Sequence, residues 1–160
     1  MPGVKGLEKV GADFIVIPCN TVHHFINEMQ ESVQIPILSI IEETKKEILA
    51  QDMSCVGVLA SKTTVELKLY ESILVDTISP DFDQQAIISG VIESVMGGKH
   101  TPLHTNQLKS IIDCYVDNGA EWVVLGCTEL PLAIEQKHTK AKLFNTIEIL
   151  AISALKEAYK

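Results

Sequence analysis

The chain reads as an α/β protein of two related, pseudo-symmetric lobes, each a parallel sheet flanked by helices, on three observations. Short apolar runs alternate with helix-period stretches along the 160 residues, the pattern of strand–helix–strand units. The runs Phe14–Ile17 and Trp122–Leu125 are continuously apolar, as parallel strands covered on both faces must be. Finally, Gly11-Ala-Asp-Phe-Ile-Val-Ile-Pro-Cys19-Asn-Thr aligns without gaps on Gly119-Ala-Glu-Trp-Val-Val-Leu-Gly-Cys127-Thr-Glu, an offset of 108 residues. A repeat of that length predicts two lobes, each presenting a cysteine at a strand-to-helix turn.

The elements follow in order. Val4, Leu7 and Val10 recur at helical spacing, and Gly11 closes that helix. The first strand is Phe14 to Ile17. Thr21 is expected to cap a helix over 22–33. Ile35–Ser39 is a short strand, its Pro36 suited to a strand start or an edge. A helix over 41–51 leads to the strand 54–60. Ser61–Thr64 is a turn, with either threonine a cap for a helix over 65–74. Residues 76–79 form a short strand ended by Pro80, and a helix over 81–96 is closed by Gly97-Gly98. Leu108, Ile111, Ile112 and Tyr115 form one apolar stripe of a helix over 105–118. After the Trp122 strand and a short helix from Glu129 come a strand over 142–145 and a last helix over 147–159, capped by Thr146.

Composition removes several function classes. The net charge is −8, which supplies no basic footprint for nucleic acid. All thirteen basic residues are Lys and none is Arg, the usual bidentate clamp for carboxylates. Hydroxyls, backbone N–H groups or Lys would have to hold any substrate carboxylate. The four cysteines lack metal-ligand spacing and read as cytosolic thiols rather than a disulfide framework. No run approaches the roughly 18 apolar residues of a membrane span, and the start carries no apolar signal core. A soluble, cytoplasmic protein is expected.

Cys19 and Cys127 stand at the carboxyl ends of strands, the edge where open α/β sheets bind ligands. Gly126 lets the backbone turn tightly or approach a ligand there, and a following helix N-terminus favours thiolate at Cys127. The motifs Ile-Pro-Cys19-Asn20-Thr21-Val-His23 and Leu-Gly-Cys127-Thr128-Glu129-Leu-Pro131 resemble those of the aspartate/glutamate racemase family, amino-acid racemases that work without pyridoxal phosphate. Glu129 stands where glutamate racemases typically carry His, so the chain looks more like the aspartate branch. The resemblance implies a first lobe of residues 1–45 and 146–160 and a second of 46–145, with the site in the cleft between them. It implies that Cys19 and Cys127 act as a base and an acid on opposite faces of Cα, with no cofactor or metal. Asn20, Thr21, Thr128 and Glu129 follow the cysteines as substrate-binding candidates. Ser61 and Thr64 match a family turn in which Thr63 here replaces Gly and Leu67 a common Ser. Lys99 stands near a basic position that meets the distal carboxylate in some members. His23 and His24 read as cleft-lining groups or, more commonly for adjacent histidines on a helix, partly exposed and inert. Cys55 and Cys114 read as core.

By the same comparison the family's first strand and Gly-rich loop have no counterpart before residue 7. The first lobe is therefore expected to be incomplete, with an exposed strand edge. The expected partner is a small acidic amino acid, with self-association or a separate N-terminal segment covering that edge. Two alternatives stand beside racemisation of aspartate or glutamate. One is a homologue that keeps the fold without turnover; the other is a sister reaction such as hydantoin racemisation or maleate isomerisation.

Overall fold

A computed structural model describes residues 2–51, 53–71 and 76–160. Helix α1 (Pro2–Lys9) ends at Gly11, whose φ of +91° is the left-handed turn that glycine makes without strain. Strand β1 (Ile15–Val16) leads through the Cys19 turn into a 3-10 helix, Thr21–Phe25, and then α2 (Ile26–Glu31). Strand β2 (Ile37–Leu38) pairs parallel to β1 and passes into α3 (Ile40–Leu49). Then follow β3 (Cys55–Ala60), α4 (Lys62–Glu66), β4 (Asp76–Ile78), α5 (Phe82–Met96) and α6 (Pro102–Asp117). The chain closes with β5 (Trp122–Gly126), α7 (Leu130–Ala133), a 3-10 turn at Gln136–His138, β6 (Lys142–Asn145) and α8 (Thr146–Ala158).

The expected class holds: two parallel sheets flanked by helices. One has two strands; the other has four in the order β4-β3-β5-β6. Strand β5 lies inside the larger sheet, and its apolar run is explained by cover on both faces. Val123 and Leu125 pack with Ile88 of α5, Leu108 and Ile112 of α6 and Leu130 of α7. Val124 points the other way, into a layer made by Ile40 and Ile48 of α3, Phe144 of β6 and Leu150 of α8. The smaller sheet has its own cluster around Val4, Ile15, Met29, Val33 and Ile37. Val16 of β1 and Leu7 and Val10 of the α1 segment are exposed.

The differences from the sequence reading lie mostly at element ends. The helix expected over 22–33 is a 3-10 turn followed by a short α-helix. The helix expected over 65–74 is α4, which begins earlier; residues 72–74 lie outside the described residues. Helix α6 starts at Pro102 rather than 105, because proline's fixed φ suits a first helical turn. None of the threonines expected as caps takes that role. Ser61 accepts from the Thr64 N–H to start α4, and Asn145 accepts from the Glu148 N–H to start α8. The hydroxyls of Thr21, Thr64 and Thr146 have tertiary partners instead.

Two substitutions test this packing. A Cβ on Gly57 would lie 2.5 Å from Cδ2 of Tyr115 and 3.2 Å from Cγ2 of Val123. Gly57→Ala should therefore cost about 1–3 kcal/mol of stability in urea denaturation, as overpacked cores do. Asp81 caps α5 by accepting from the Gln84 N–H at 2.8 Å while the Gln84 side chain accepts from the Asp81 N–H. Asp81→Ala should cost about 1 kcal/mol by the same measurement.

Candidate active site

The site forms where the ends of β1, β3 and β5 meet the start of α8. Cys19 follows β1 and is half-buried; its N–H donates to Ile17 O at 2.8 Å. Its carbonyl accepts from Nδ1 of His23 at 2.7 Å, and Nε2 of His23 accepts from the Ile40 N–H at 3.1 Å. An N–H donor at Nε2 fixes the tautomer, so the ring proton is on Nδ1. Burial holds His23 below the ordinary histidine pKa, against hydrogen bonds to the Cys19 and Leu38 backbone that raise it. His23 is only 4% exposed. It is neither a cleft-lining group nor an inert surface histidine but a neutral brace between the Cys19 turn and α3. Its spacing of four residues from Cys19 was the available signal. His24 fits the bland reading: it is exposed, edge-on to Phe25.

Asn20 is 2% exposed. Its Oδ1 accepts from the Tyr70 hydroxyl at 2.5 Å, and its Nδ2 donates to Thr146 Oγ1 at 3.3 Å. Thr146 donates onward to Leu125 O at 2.9 Å. Asn20 is thus tied to the strand that ends in the Cys127 turn. Each end of its amide makes one of the two bonds available to it, so the side chain expected to hold substrate is here a strut between the two turns. Tyr70 also touches the second turn. A Cβ on Gly126 would lie 3.1 Å from Tyr70 Cε2 and 3.0 Å from Ala60 Cβ. A side chain at the position before Cys127 would make its neighbours give by a few tenths of an ångström.

Thr21, Ser61 and Thr64 come together. Thr21 Oγ1 lies 3.0 Å from Ser61 Oγ and 2.9 Å from Thr64 Oγ1, and the latter two are 2.9 Å apart. This triangle of hydroxyls joins the Cys19 turn to the end of β3; its three protons are shared among its own oxygens, and a carboxylate would take them by breaking those mutual bonds.

Cys127 is half-buried at the end of β5. Its thiol donates to Glu129 Oε2 at 3.0 Å, and Thr128 Oγ1 donates to the same oxygen at 3.0 Å. Burial first, and then the Glu129 carboxylate, push the Cys127 thiol up to about 12. The preference for thiolate expected from a helix N-terminus is opposed here by burial and the adjacent carboxylate. Helix α7 has only four residues, and a short dipole does not outweigh burial plus an adjacent anion. Burial alone would raise Glu129, but the bonds from Cys127 and Thr128 hold it below the usual carboxylate range. The ionised Glu129 repels a carboxylate but can accept from an ammonium group, and its Oε2 takes up the Thr128 hydroxyl.

Lys99 is exposed after α5, and no side-chain contact among the described residues joins it to the rest of the site. Cys55 is half-buried at the start of β3 and packs on the core, as read; Cys114 is exposed on α6, contrary to its reading as core. No group of three or more His, Cys, Asp or Glu able to hold a metal ion occurs among the described residues, and none of their helices is long and apolar enough to cross a membrane.

Comparison with known proteins agrees with this architecture. The broad specificity amino-acid racemase RacX of Bacillus subtilis (strain 168) is 30% identical over 157 residues, which span 96% of this chain and 68% of that protein. An aspartate racemase homologue from Pyrococcus horikoshii superimposes with a TM-score of 0.87 at 30% identity, over 99% of this chain and 72% of that one. Picrophilus torridus aspartate racemase superimposes with a TM-score of 0.85 at 26% identity, over 99% and 68%. The family description Asp/Glu/Hydantoin racemase matches residues 1–154. The chain belongs to the Asp/Glu/hydantoin racemase family.

Proposed function

We propose that the chain racemises an acidic amino acid, with aspartate as the substrate, by proton transfer between Cα and two thiols. The observation that carries this reading is the placement of Cys127: its sulfur lies 3.0 Å from Glu129 Oε2, on a turn braced through Thr146 and Asn20 to the Cys19 turn. Inversion needs a base on one face of Cα and an acid on the other. With Cys19 as thiolate, its sulfur takes the Cα proton and the C–H electron pair remains on the substrate as an enolate. Cys127 then delivers its proton to the opposite face of Cα, and the pair returns to a C–H bond. One turnover leaves Cys19 as thiol and Cys127 as thiolate; Cys127 regains a proton from solvent and Cys19 gives its own up to solvent, which restores the starting pair.

In the reverse direction Cys127 acts as the thiolate that forward turnover leaves, and Glu129, 3.0 Å from its sulfur, lies where it can relay a proton between that sulfur and solvent. We therefore assign Glu129 to proton exchange with Cys127 rather than to substrate binding. The hydroxyls of Thr21, Ser61 and Thr64 are the donors for the α-carboxylate. Lys99 is the cation assigned to the distal carboxylate, reached by its long side chain when substrate is present. Both proton transfers are supplied by thiols, so added pyridoxal phosphate should leave the rate unchanged.

The test is racemisation of aspartate and glutamate, followed by chiral chromatography, in Cys19→Ser and Cys127→Ser. Each should lose about 10²–10⁴-fold, the usual contribution of a positioned acid or base. Solvent deuterium should enter Cα in one variant without inversion, because abstraction needs only one sulfur. Wild-type rates in either variant would rule out the two-thiol scheme.

A second measurement addresses Glu129. Its negative charge disfavours the Cys127 thiolate, so Glu129→Gln should move the thiol pKa down from about 12. Alkylation of Cys127 by iodoacetamide, followed by peptide mass spectrometry against pH, should then begin at lower pH than in the wild type. An unchanged profile would show that burial alone sets the thiol.

A further inference from the structure

Gln85 of α5 is anchored beside the site by one end of its side chain. Its Nε2 donates to Ala60 O at 3.2 Å and to Ser89 Oγ at 3.4 Å. These two acceptors settle which end of the amide is nitrogen, since the reverse assignment would set Oε1 against the Ala60 carbonyl. Oε1 is buried, and among the described residues no group donates to it. Buried polar atoms are nearly always bonded. An orphaned acceptor held in place by its own amide nitrogen is unusual enough to need a reason.

Its position supplies one. Ala60 ends β3, directly precedes Ser61 of the hydroxyl triangle, and is the register partner of Gly126 on β5. Gly126 directly precedes Cys127, and its ideal Cβ lies 3.0 Å from Ala60 Cβ. Gln85 is therefore fixed at the point from which the triangle and the Cys127 turn both depart.

We infer that Gln85 Oε1 receives the ammonium group of the amino-acid substrate. An acidic amino acid offers two carboxylates, which only accept, and one ammonium, which only donates. The hydroxyls of Thr21, Ser61 and Thr64 suit a carboxylate; an acceptor whose nitrogen is already tied down suits the ammonium. Glu129 Oε2 already accepts from the Cys127 thiol and the Thr128 hydroxyl, and Oε1 of the same carboxylate is left as a second acceptor. With the α-carboxylate on the triangle and the ammonium on Gln85, two of the substituents of Cα are fixed, which orients the C–H bond between the sulfurs. This inference rests on the racemase reading and adds a residue that discriminates by the amino group.

Gln85→Met keeps the length of the side chain and removes the acceptor together with the Nε2 bonds to Ala60 and Ser89. Calorimetric titration of the full chain should compare aspartate and glutamate with succinate and glutarate, the same skeletons without the ammonium. Loss of a bond to a charged group should weaken amino-acid binding about tenfold in Gln85→Met, with dicarboxylate binding unchanged. The unchanged dicarboxylate affinity also shows that the variant is folded. Equal losses for both ligand types would mark Gln85 as a packing residue and overturn the inference. So would unchanged amino-acid binding in a variant whose parent racemises the same amino acid, and that result would leave the racemase reading intact. A wild-type chain that neither binds nor racemises either amino acid would overturn both.

Discussion

The site depends on one buried amide. Asn20 accepts from Tyr70 at one end and donates to Thr146 at the other, and Thr146 passes the connection to the Leu125 carbonyl. Asn20, Tyr70 and Thr146 are each at most 2% exposed. A typical hydrogen bond contributes only about 1 kcal/mol net, but a partner left unpaired in the interior costs about 1–3 kcal/mol. The network therefore acts more by specifying one arrangement than by adding stability. An amide suits this position because it offers an acceptor and a donor on opposite sides. Tyr70 serves twice, through its hydroxyl on Asn20 and its ring against Gly126. The two cysteine turns, 108 residues apart in sequence, are thereby placed relative to each other by side chains that touch no solvent.

Around this brace the polar groups divide by charge. The Thr21, Ser61 and Thr64 hydroxyls form a neutral cluster on one side. On the other, Glu129 keeps its charge and Cys127 keeps its proton, each state supported by the bond between them. His23, buried and neutral, completes the cover of the Cys19 turn without adding charge. In a chain with no arginine, such an arrangement leaves anion recognition to neutral donors. It also keeps the one anion of the turn bonded to the thiol and hydroxyl beside it.

Most of the architecture was legible because it rests on local patterns. The run Trp122–Leu125 announced a strand covered on both faces, and it lies inside the larger sheet with a helical layer on each side. Gly11 announced a helix stop and has the left-handed φ that this requires. The caps were less legible, since Ser, Thr and Asn at a helix start compete for the same N–H. At α4 and α8 the winners were Ser61 and Asn145, whose threonine neighbours were drawn to tertiary partners.

By itself, the sequence determined the fold class, the repeat, and the placement of Cys19 and Cys127 at strand ends, because hydrophobic period and glycine punctuation act over a few residues. It also marked Thr21, Ser61 and Thr64 as polar groups in turns. Only the tertiary structure decided what those groups do. Thr21 meets Ser61 across 40 residues of chain, Asn20 meets Tyr70 across 50 and Thr146 across 126. The protonation of Cys127, the neutrality of His23 and the orphaned oxygen of Gln85 follow from burial and from neighbours brought together by folding. A pKa or an unpaired lone pair is a property of surroundings, and surroundings on this scale exist only once the sheets have formed and their helices have closed over them.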